Sequence, residues 1–253
     1  MNSKGQKIIM GCDVSTKTVG ITLLLDDGSE YGKIIELTHI SPKVPRKIKG
    51  IEALCIKKKI FDEFITKFKN IGIDEVIIEE PLTSSNNEIT VAALLKFNGM
   101  LSSSIYEILG IVPKFISSFD ARKYSFVSLM AIRKYNKKGE QYDYQKILKE
   151  IEHSKLVLFG SYPWEVDKKA ILQQKVAEIF PQIPWLYNKK GELKKENFDA
   201  TDSFVACYGY LNKMRHGELK FKITNIKEVD DGVEYDVSYW NKTEHRKTYV
   251  KKE

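Results

Sequence analysis

Acidic residues lie at three places in the chain where they adjoin apolar residues, so that burying their charge would cost free energy. Asp13 closes the apolar run IIMGC, and Glu79 directly follows the run VII. Asp199 and Asp202 lie three residues apart in FDATDSFVACYGYL, so a helix would present both on one face. Clustered carboxylates repel each other unless cations neutralise them, and hard oxygen ligands suit Mg²⁺ or Mn²⁺. These four acids are therefore the candidate metal ligands and catalytic residues, with Glu80 as an alternative ligand to Glu79.

A carboxylate cluster of this kind suits hydrolysis of a phosphodiester. Two divalent ions held about 4 Å apart can activate a water and stabilise the leaving oxygen. Metal-bound water would be the nucleophile, and no covalent intermediate is implied. The acids thus favour a metal-dependent hydrolase.

Each acid also has a purely structural interpretation. Asp13 could bond the backbone of the turn that follows it, and Glu79 could be a solvated charge before Pro81. Asp199 could be a helix N-cap, with Asp202 in the first helical turn. Each interpretation is reasonable for one residue, but together they require three coincidences. The joint metal site is the preferred hypothesis.

The hydrophobic pattern predicts an α/β domain in which these acids can meet. Three strands open the chain as an antiparallel meander, and strands then alternate with helices, which predicts a five-stranded mixed sheet with helices on both faces. The predicted strands are 7–14, 19–25, 31–40, the apolar part of GIDEVIIEEPL, and VPKFIS; the predicted helices are about 47–70, 88–110, 166–179 and 199–215.

The rest of the chain divides into an insertion and a tail. Residues 125–165 are rich in lysine and tyrosine and are predicted to be an insertion, partly helical around 142–153. Residues 220–250 alternate in strand fashion around two turns, which predicts a small β-appendage. We therefore expect a main domain over 1–217 and a β-rich extension over 218–253.

The composition limits the classes of protein to which the chain can belong. The chain has 253 residues, of which 42% are hydrophobic, enough for a real core. A net charge of +7 mildly favours a polyanionic partner. No apolar run is long enough for a membrane span and no signal-peptide pattern opens the chain, so a cytoplasmic protein is expected. Cys12, Cys55 and Cys207 lack metal-ligand spacing and are expected to be buried and reduced.

Three motifs, in order, resemble those of the RuvC-like Holliday junction resolvases of the RNase H-like superfamily. IIMGCDVSTKTVGITLL resembles their first strand, with an Asp, a small-polar turn and a Gly seven residues beyond the Asp. VIIEEPL resembles their second acidic motif, and FDATDSFVACYGYL resembles their last, in a helix rich in small residues. The resemblance covers about residues 7–118 and 165–214.

The resemblance implies an RNase H-like fold and a magnesium-dependent endonuclease of DNA recombination and repair. Such an enzyme cleaves four-way and related branched DNA and leaves 5′-phosphate ends. Asp13 and Asp202 would share the ions, Glu79 and Asp199 would complete their ligands, and Mn²⁺ would substitute for Mg²⁺. No membrane partner is expected.

Symmetric cleavage of a four-way junction also implies a two-fold homodimer. The predicted helix 88–110 is the candidate interface, through Leu94, Leu95, Phe97 and Met100. Simple core packing explains the same residues.

Some features depart from the compact cellular members of the family. Those enzymes often carry an aromatic residue three positions after the catalytic Glu, whereas this chain has Leu82, which has no aromatic ring to stack on a base. The insertion and the β-tail have no counterpart in them. The wording IIEEPL, the stretch KFNG and the insertion resemble bacteriophage-type members more closely.

Basic residues near the acidic motifs are candidate contacts for DNA phosphates. By resemblance, the region of Lys168 and Lys169 corresponds to a family helix with a basic residue near the scissile phosphate. Four further lysines lie shortly before Asp199 in NKKGELKKEN. Affinity would be salt-dependent and recognition would depend on shape more than on base sequence. The predicted DNA-binding residues are Lys17, Arg122, Lys123, Lys168, Lys169 and Lys175.

Three rival functions are consistent with parts of this pattern. An actin-like or sugar-kinase ATPase shares the strand-Asp-turn-strand motif, but a second such motif and a Gly-Gly adenosine site are not found. A non-catalytic DNA-junction-binding module would be expected to lose an acid, yet all four are present. Another nuclease of the same fold, acting on RNA–DNA hybrids or related to transposases, remains open.

Overall fold

A meander of three strands begins the first sheet of the molecule. The computed structural model describes residues 6–81, 87–129, 167–230 and 232–249. The strands are Lys7–Val14 (β1), Val19–Asp26 (β2) and Lys33–Ile40 (β3). They are paired antiparallel, with Asp13 opposite Gly20 and Gly20 opposite His39.

Two parallel strands complete this sheet on the other side of β1. They are Glu75–Glu79 (β4) and Lys114–Ile116 (β5). The order across the sheet is β3-β2-β1-β4-β5, with β4 parallel to β1 and β5 parallel to β4. This mixed sheet, antiparallel and then parallel, is that of the RNase H-like fold, and the predicted fold class is confirmed.

Successive strand residues point to opposite sides of the sheet, and here both sides are apolar. Helices therefore cover both faces. Met10, Val76 and Ile78 face one cluster of buried side chains, to which the first two helices contribute. Ile9 and Ile77 face the other cluster, which the later helices cover. The helices are Gly50–Thr66 (α1), Glu88–Leu109 (α2), Ser118–Ser125 (α3), Lys168–Ile179 (α4) and Phe198–His216 (α5).

The observed helices differ from the predicted ones in two respects. α1 is shorter than 47–70 because a hydrogen-bonded turn precedes it and a series of turns around residues 67–71 follows it. Its packed face contains Leu54, Phe61 and Ile65, whereas Ile51 and Cys55 are exposed, so the prediction of a buried Cys55 is wrong. α3 was not predicted, since its eight residues SFDARKYS show no apolar stripe.

A second, three-stranded antiparallel sheet follows α5. Its strands are Phe221–Val229 (β6), Gly232–Tyr239 (β7) and Lys242–Tyr249 (β8), which confirms the predicted β-appendage. Trp240 stacks on His216 at the end of α5, with ring centroids 4.6 Å apart. Lys242 pairs with Glu30 at 2.8 Å. The division into domains at residue 217 remains a prediction.

Some sequence-based expectations concern residues that the structure does not describe. Leu82 and most of the predicted insertion, including its helical stretch 142–153, lie outside the described residues. Among the helices that are described, none has the length and apolar character needed to cross a membrane.

Glu75 at the start of β4 ties four elements together. Its carboxylate accepts hydrogen bonds from Lys7 on β1, Lys114 on β5 and Tyr210 on α5, at 3.1, 2.8 and 2.5 Å. Burial by itself would raise the pKa of Glu75, but the hydrogen bonds from Lys114, Tyr210 and Lys7 lower it to about 2.

We expect Glu75→Gln to destabilise the protein by about 1 to 3 kcal/mol at pH 7, because charge-assisted hydrogen bonds are removed. The pKa of this carboxyl is lower in the folded than in the unfolded chain. Its contribution is therefore present above pH 4.5 and disappears as pH falls toward 2. Urea unfolding at pH 7 and pH 3 measures both effects. Glu63→Gln, on the exposed surface of α1, is the control; equal destabilisation of both variants would contradict the prediction.

Candidate active site

Asp13 and Glu79 lie beside each other at one end of the sheet. β1 and β4 are neighbouring parallel strands, with Cys12 paired with Ile78. The next residue of each strand is one of the two acids, and both side chains are half-buried. Adjacent strands are about 4.8 Å apart, so the backbone itself brings these carboxylates together.

Two glycines allow α5 to lie directly on β1 and β2. A Cβ atom on Gly20 would lie 1.9 Å from the backbone oxygen of Asp199, and one on Gly11 would lie 2.3 Å from that of Ser203. Gly20 is also the partner of Asp13 in the β1–β2 ladder. The start of α5, with Asp199 and Asp202, is therefore held against the strand end that carries Asp13.

A hydroxyl from the β1–β2 turn holds Asp199. Thr18 Oγ1 donates a hydrogen bond to Asp199 Oδ2 at 2.5 Å. The helix begins at Phe198 with Asn197 at the N-cap position, so the interpretation of Asp199 as an N-cap is wrong. The turn is stabilised by Ser15, whose hydroxyl accepts hydrogen bonds from the backbone N–H groups of Lys17 and Thr18, and not by Asp13.

Lys169 on α4 reaches into the cluster from the other side. Its Nζ lies 2.5 Å from Oδ2 of Asp202, whose side chain is 7% exposed. The lysine side chain itself remains 44% exposed. Its ammonium group is thus a cation at the boundary between the buried carboxylates and solvent.

The charges of the site are not balanced. Burial raises the pKa of Asp13 well above its usual range, and repulsion from Glu79 and Asp202 raises it further, against the opposing effect of Lys169. Burial and repulsion from Asp202 raise the pKa of Glu79 to about 7, although Arg122 and Lys169 oppose this shift. The cluster therefore favours either protons or an additional cation.

Glu80 takes no part in this cluster. It follows Glu79 in the chain, but it is exposed, as expected for the next residue of an extended segment that points to the opposite side. Its backbone N–H donates to the carbonyl of Ile116. The structure thus favours Glu79 over Glu80 as the member of the site.

The predicted basic residues are placed unequally around the carboxylates. Lys169 and Arg122 are close enough to lower the pKa of Glu79, and Lys17 is exposed in the turn after Asp13. Lys123 lies over the ring of Tyr124 at 5.0 Å, and Lys168 is half-buried at the start of α4. Lys175 forms an ion pair with Glu178 at 3.9 Å, about 9 Å further along α4 than Lys169.

Sequence reasoning missed Thr18, Ser15 and Gly11 as parts of the site. The polar turn and Gly20 belong to the first motif, but their partner, α5, lies about 180 residues away in the chain. A polar residue just before the second strand was the available signal for Thr18. Its bond to Asp199 could not be inferred without knowing that α5 lies against that turn.

The donors suit a hard divalent cation, since they are carboxylate oxygens and the negative charge of the cluster is not balanced. The Lys169 ammonium group lies beside Asp202, where a metal ion would otherwise neutralise that carboxylate. Within the described ranges, no group of three or more His, Cys, Asp or Glu side chains is arranged closely enough to form a metal site as it stands. The chemistry fits such an ion, and the carboxylates would have to move closer together to bind it.

Comparison with known proteins gives likenesses of structure alone. No protein-family model matches the chain, and no curated protein sequence matches it. The Thermus thermophilus RuvC structure is 13% identical, with a TM-score of 0.49 over 83% of this chain and 96% of that one. The yeast mitochondrial Holliday junction resolvase Ydc2 is 12% identical, with a TM-score of 0.43 over 81% and 78%.

A third similar structure comes from a different group of proteins. The Ppx/GppA family member of Aquifex aeolicus is 12% identical, with a TM-score of 0.33 over 83% of this chain and 90% of that one. At TM-scores below 0.5, none of these likenesses carries an argument about function. The function must be inferred from the site itself.

We expect Gly20→Ala to destabilise the protein by more than about 3 kcal/mol, because its methyl group would collide with the backbone of α5. The control is Gly99→Ala in the middle of α2, where an added Cβ meets no atom within 4 Å. That variant should gain up to about 1 kcal/mol from helix propensity. Chemical denaturation of both variants measures the difference. Similar stability of the two would show that α5 does not press on the backbone of β2 at Gly20.

We expect Glu79→Gln to stabilise the metal-free protein by about 1 to 3 kcal/mol at pH 8, because a repelled, buried charge is removed. The pKa of Glu79 is raised in the folded chain, so its ionisation costs stability as pH rises from 4.5 to about 7. The gain should shrink as pH falls toward 4.5.

Thermal unfolding in EDTA across this pH range measures that gain. Glu80→Gln is the matched control, since it changes the adjacent exposed glutamate, and its effect should stay within about 0.5 kcal/mol. A decrease in the stability of Glu79→Gln at pH 8 would contradict the expectation.

Proposed function

We propose that the chain is a metal-dependent endonuclease of the RuvC-like type, which cleaves four-way and related branched DNA. The observation that supports this proposal best is the meeting of four carboxylates at one strand end, with two cationic side chains, Lys169 and Arg122, beside them. The raised pKa values of Asp13 and Glu79 indicate negative charge that the protein does not neutralise by itself. An acidic site with a basic rim suits a phosphodiester and its metal ions.

Mg²⁺, or Mn²⁺ in its place, would be held by Asp13, Glu79, Asp199 and Asp202. When bound, such ions supply an activated water and stabilise the leaving oxygen of a phosphodiester. Thr18 keeps one oxygen of Asp199 fixed and leaves the other free to bind. Thr18 thus orients one of the four carboxylates.

Lys169 would have two partners in the course of the reaction. Its ammonium group forms an ion pair with Asp202 at 2.5 Å. If ions took over the neutralisation of Asp202, the partly exposed ammonium group of Lys169 would be available to hold a non-bridging phosphate oxygen. Arg122, near Glu79, would act in the same way from α3. The remaining predicted DNA contacts, Lys17, Lys123, Lys168 and Lys175, remain proposals of weaker support, and Lys175 weakest because of its pairing with Glu178.

A homodimer is part of the proposal, with one change to its interface. Phe97 on α2 is 1% exposed and belongs to the core, so it cannot serve as an interface residue as it stands. Met100 is half-buried against the same core and Leu94 is half-buried, whereas Leu95 is exposed. Tyr106, eleven residues after Leu95 and therefore on the same side of the helix, is also exposed, and we propose that a second copy would cover this side. Bacteriophage-type membership, 5′-phosphate products and a cytoplasmic location are likewise proposed from the sequence alone.

The decisive experiment is cleavage of defined DNA by the purified protein. A synthetic four-way junction, a linear duplex and an RNA–DNA hybrid are each incubated with Mg²⁺ and with EDTA, beside Asp13→Asn. We expect paired nicks confined to the junction, dependent on the metal and reduced at least about a hundredfold in Asp13→Asn.

The control for this experiment is Glu80→Gln, which removes a neighbouring acid outside the cluster and should retain activity. Cleavage of the hybrid alone would assign the chain to another nuclease type of the same fold. Junction binding without cleavage would favour a non-catalytic module. Equal activity of Asp13→Asn and the unchanged protein would refute the proposed site.

A further inference from the structure

The segment between β3 and α1 carries a run of positive charge without any acid. Residues 41–49, SPKVPRKIK, contain four cations, and we call this segment the basic loop. All four side chains are exposed. Within the part of the chain that the structure describes, they make no ion pair, unlike Lys58, Lys67 and Lys114. The four cations are Lys43, Arg46, Lys47 and Lys49.

The basic loop has a defined conformation that presents these cations outward. Pro42 is buried, and Val44 and Ile48 are half-buried, so apolar residues attach the loop to the protein between the charged positions. The N–H of Ile48 donates to the carbonyl of Pro45 at 3.0 Å, which places Arg46 and Lys47 at the centre of a β-turn. The two prolines restrict the backbone further. The backbone positions that carry the four cations are therefore fixed before any ligand binds, whereas their side chains extend into solvent.

The basic loop leaves the sheet at the same end as the carboxylates. β3 ends with Ile40 opposite Val19, one residue beyond the pairing of His39 with Gly20, which in turn faces Asp13. Two strand spacings, about 10 Å, separate the end of β3 from Asp13. Lys57 on α1 also donates to the carbonyl of Thr16 in the β1–β2 turn, so the element after the loop is attached to the site.

The basic loop and Arg122 lie at opposite edges of the sheet. Arg122 on α3 follows β5, at the far edge of the sheet, whereas the loop follows β3 at the near edge. The carboxylate cluster thus has positive charge on two sides. A DNA molecule whose scissile phosphate lies at the cluster would extend its backbone across one or both of these sides.

We infer that the basic loop is a phosphate-binding surface for a duplex arm of DNA on the β3 side of the carboxylates. This inference rests on the proposed function for the identity of the partner. The ligand is the sugar-phosphate backbone, since exposed lysine and arginine side chains on a turn offer charge and donors but no aromatic or amide groups for reading bases. Each phosphate neutralised releases counterions and adds to the salt dependence of binding.

The test is binding of a synthetic four-way junction in EDTA, where no metal-dependent cleavage takes place. The variant combines Lys43→Ala, Arg46→Ala, Lys47→Ala and Lys49→Ala. The matched control removes four exposed lysines remote from the site: Lys33→Ala, Lys69→Ala, Lys222→Ala and Lys227→Ala. Titrations between 50 and 200 mM salt give the affinity and its salt slope, and thermal unfolding checks that both variants are folded.

We expect the affinity of the loop variant to fall at least about tenfold at 100 mM salt, and its salt slope to fall by about 0.9 for each phosphate that the loop no longer neutralises. The affinity of the control should fall less than about threefold. Equal decreases in loop variant and control would mean that only net charge matters, and would overturn the inference. Unchanged binding by the loop variant would overturn it as well.

Cleavage by the unchanged protein with Mg²⁺ separates this inference from the proposed function. If that protein binds the junction without cleaving it, and the loop variant alone binds more weakly, the nuclease proposal fails and the inference stands. If it cleaves and the loop variant binds and cleaves equally well, only the inference fails. If it binds no DNA, both fail.

Discussion

The contact of α5 with β1 and β2 is the constraint on which the candidate site depends. Gly11 and Gly20 have no side chains, and the backbone of α5 lies where their Cβ atoms would be. Because the helix lies so close, Asp199 and Asp202 reach the strand end that carries Asp13. A side chain at either glycine would move the helix away and separate the carboxylates, although every acid would remain in the chain. The geometry of the charged groups is thus decided by two residues that carry no functional group.

The two glutamates at the ends of β4 have pKa values shifted in opposite directions by their surroundings. Glu75 opens the strand among Lys7, Lys114 and Tyr210, and its pKa falls to about 2 despite burial. Glu79 closes the strand four residues later among other carboxylates, and its pKa rises to about 7. The first end contributes to stability, whereas the second reduces it in the metal-free protein. Charge that is buried without sufficient neutralisation is a property of functional sites more often than of structural ion pairs.

Positively charged side chains lie at two distances from the carboxylates of this site. Lys169 and Arg122 are near the carboxylates and reduce their repulsion. The basic loop is further away, exposed, and directed to solvent. The inner cations can serve the metal-free protein by neutralising acids, but the outer ones neutralise nothing in the described structure. The proposed DNA substrate would account for both sets, since its phosphates would lie at the cluster and around it together.

The sequence by itself determined the order of the five strands and of every described helix except α3, because hydrophobic periodicity is a local pattern. It also determined Asp13, Glu79, Asp199 and Asp202 as the candidate residues, because their motifs are local. It favoured Glu79 over Glu80 only by resemblance, whereas the direction of each side chain from the strand supplies the physical reason. In one interpretation it treated Asp199 as a helix cap, but the helix begins one residue earlier, at Phe198, with Asn197 at the N-cap position. It did not distinguish Phe97 from Leu95 on α2, since burial there depends on which side of the helix meets the sheet. Only the tertiary structure decided three other features: the pairing of Lys169 with Asp202, the close contact at Gly11, and the position of the basic loop. Each depends on residues that are far apart in the chain. Such contacts depend on how the helices pack on the sheet and leave no periodic signal in either segment.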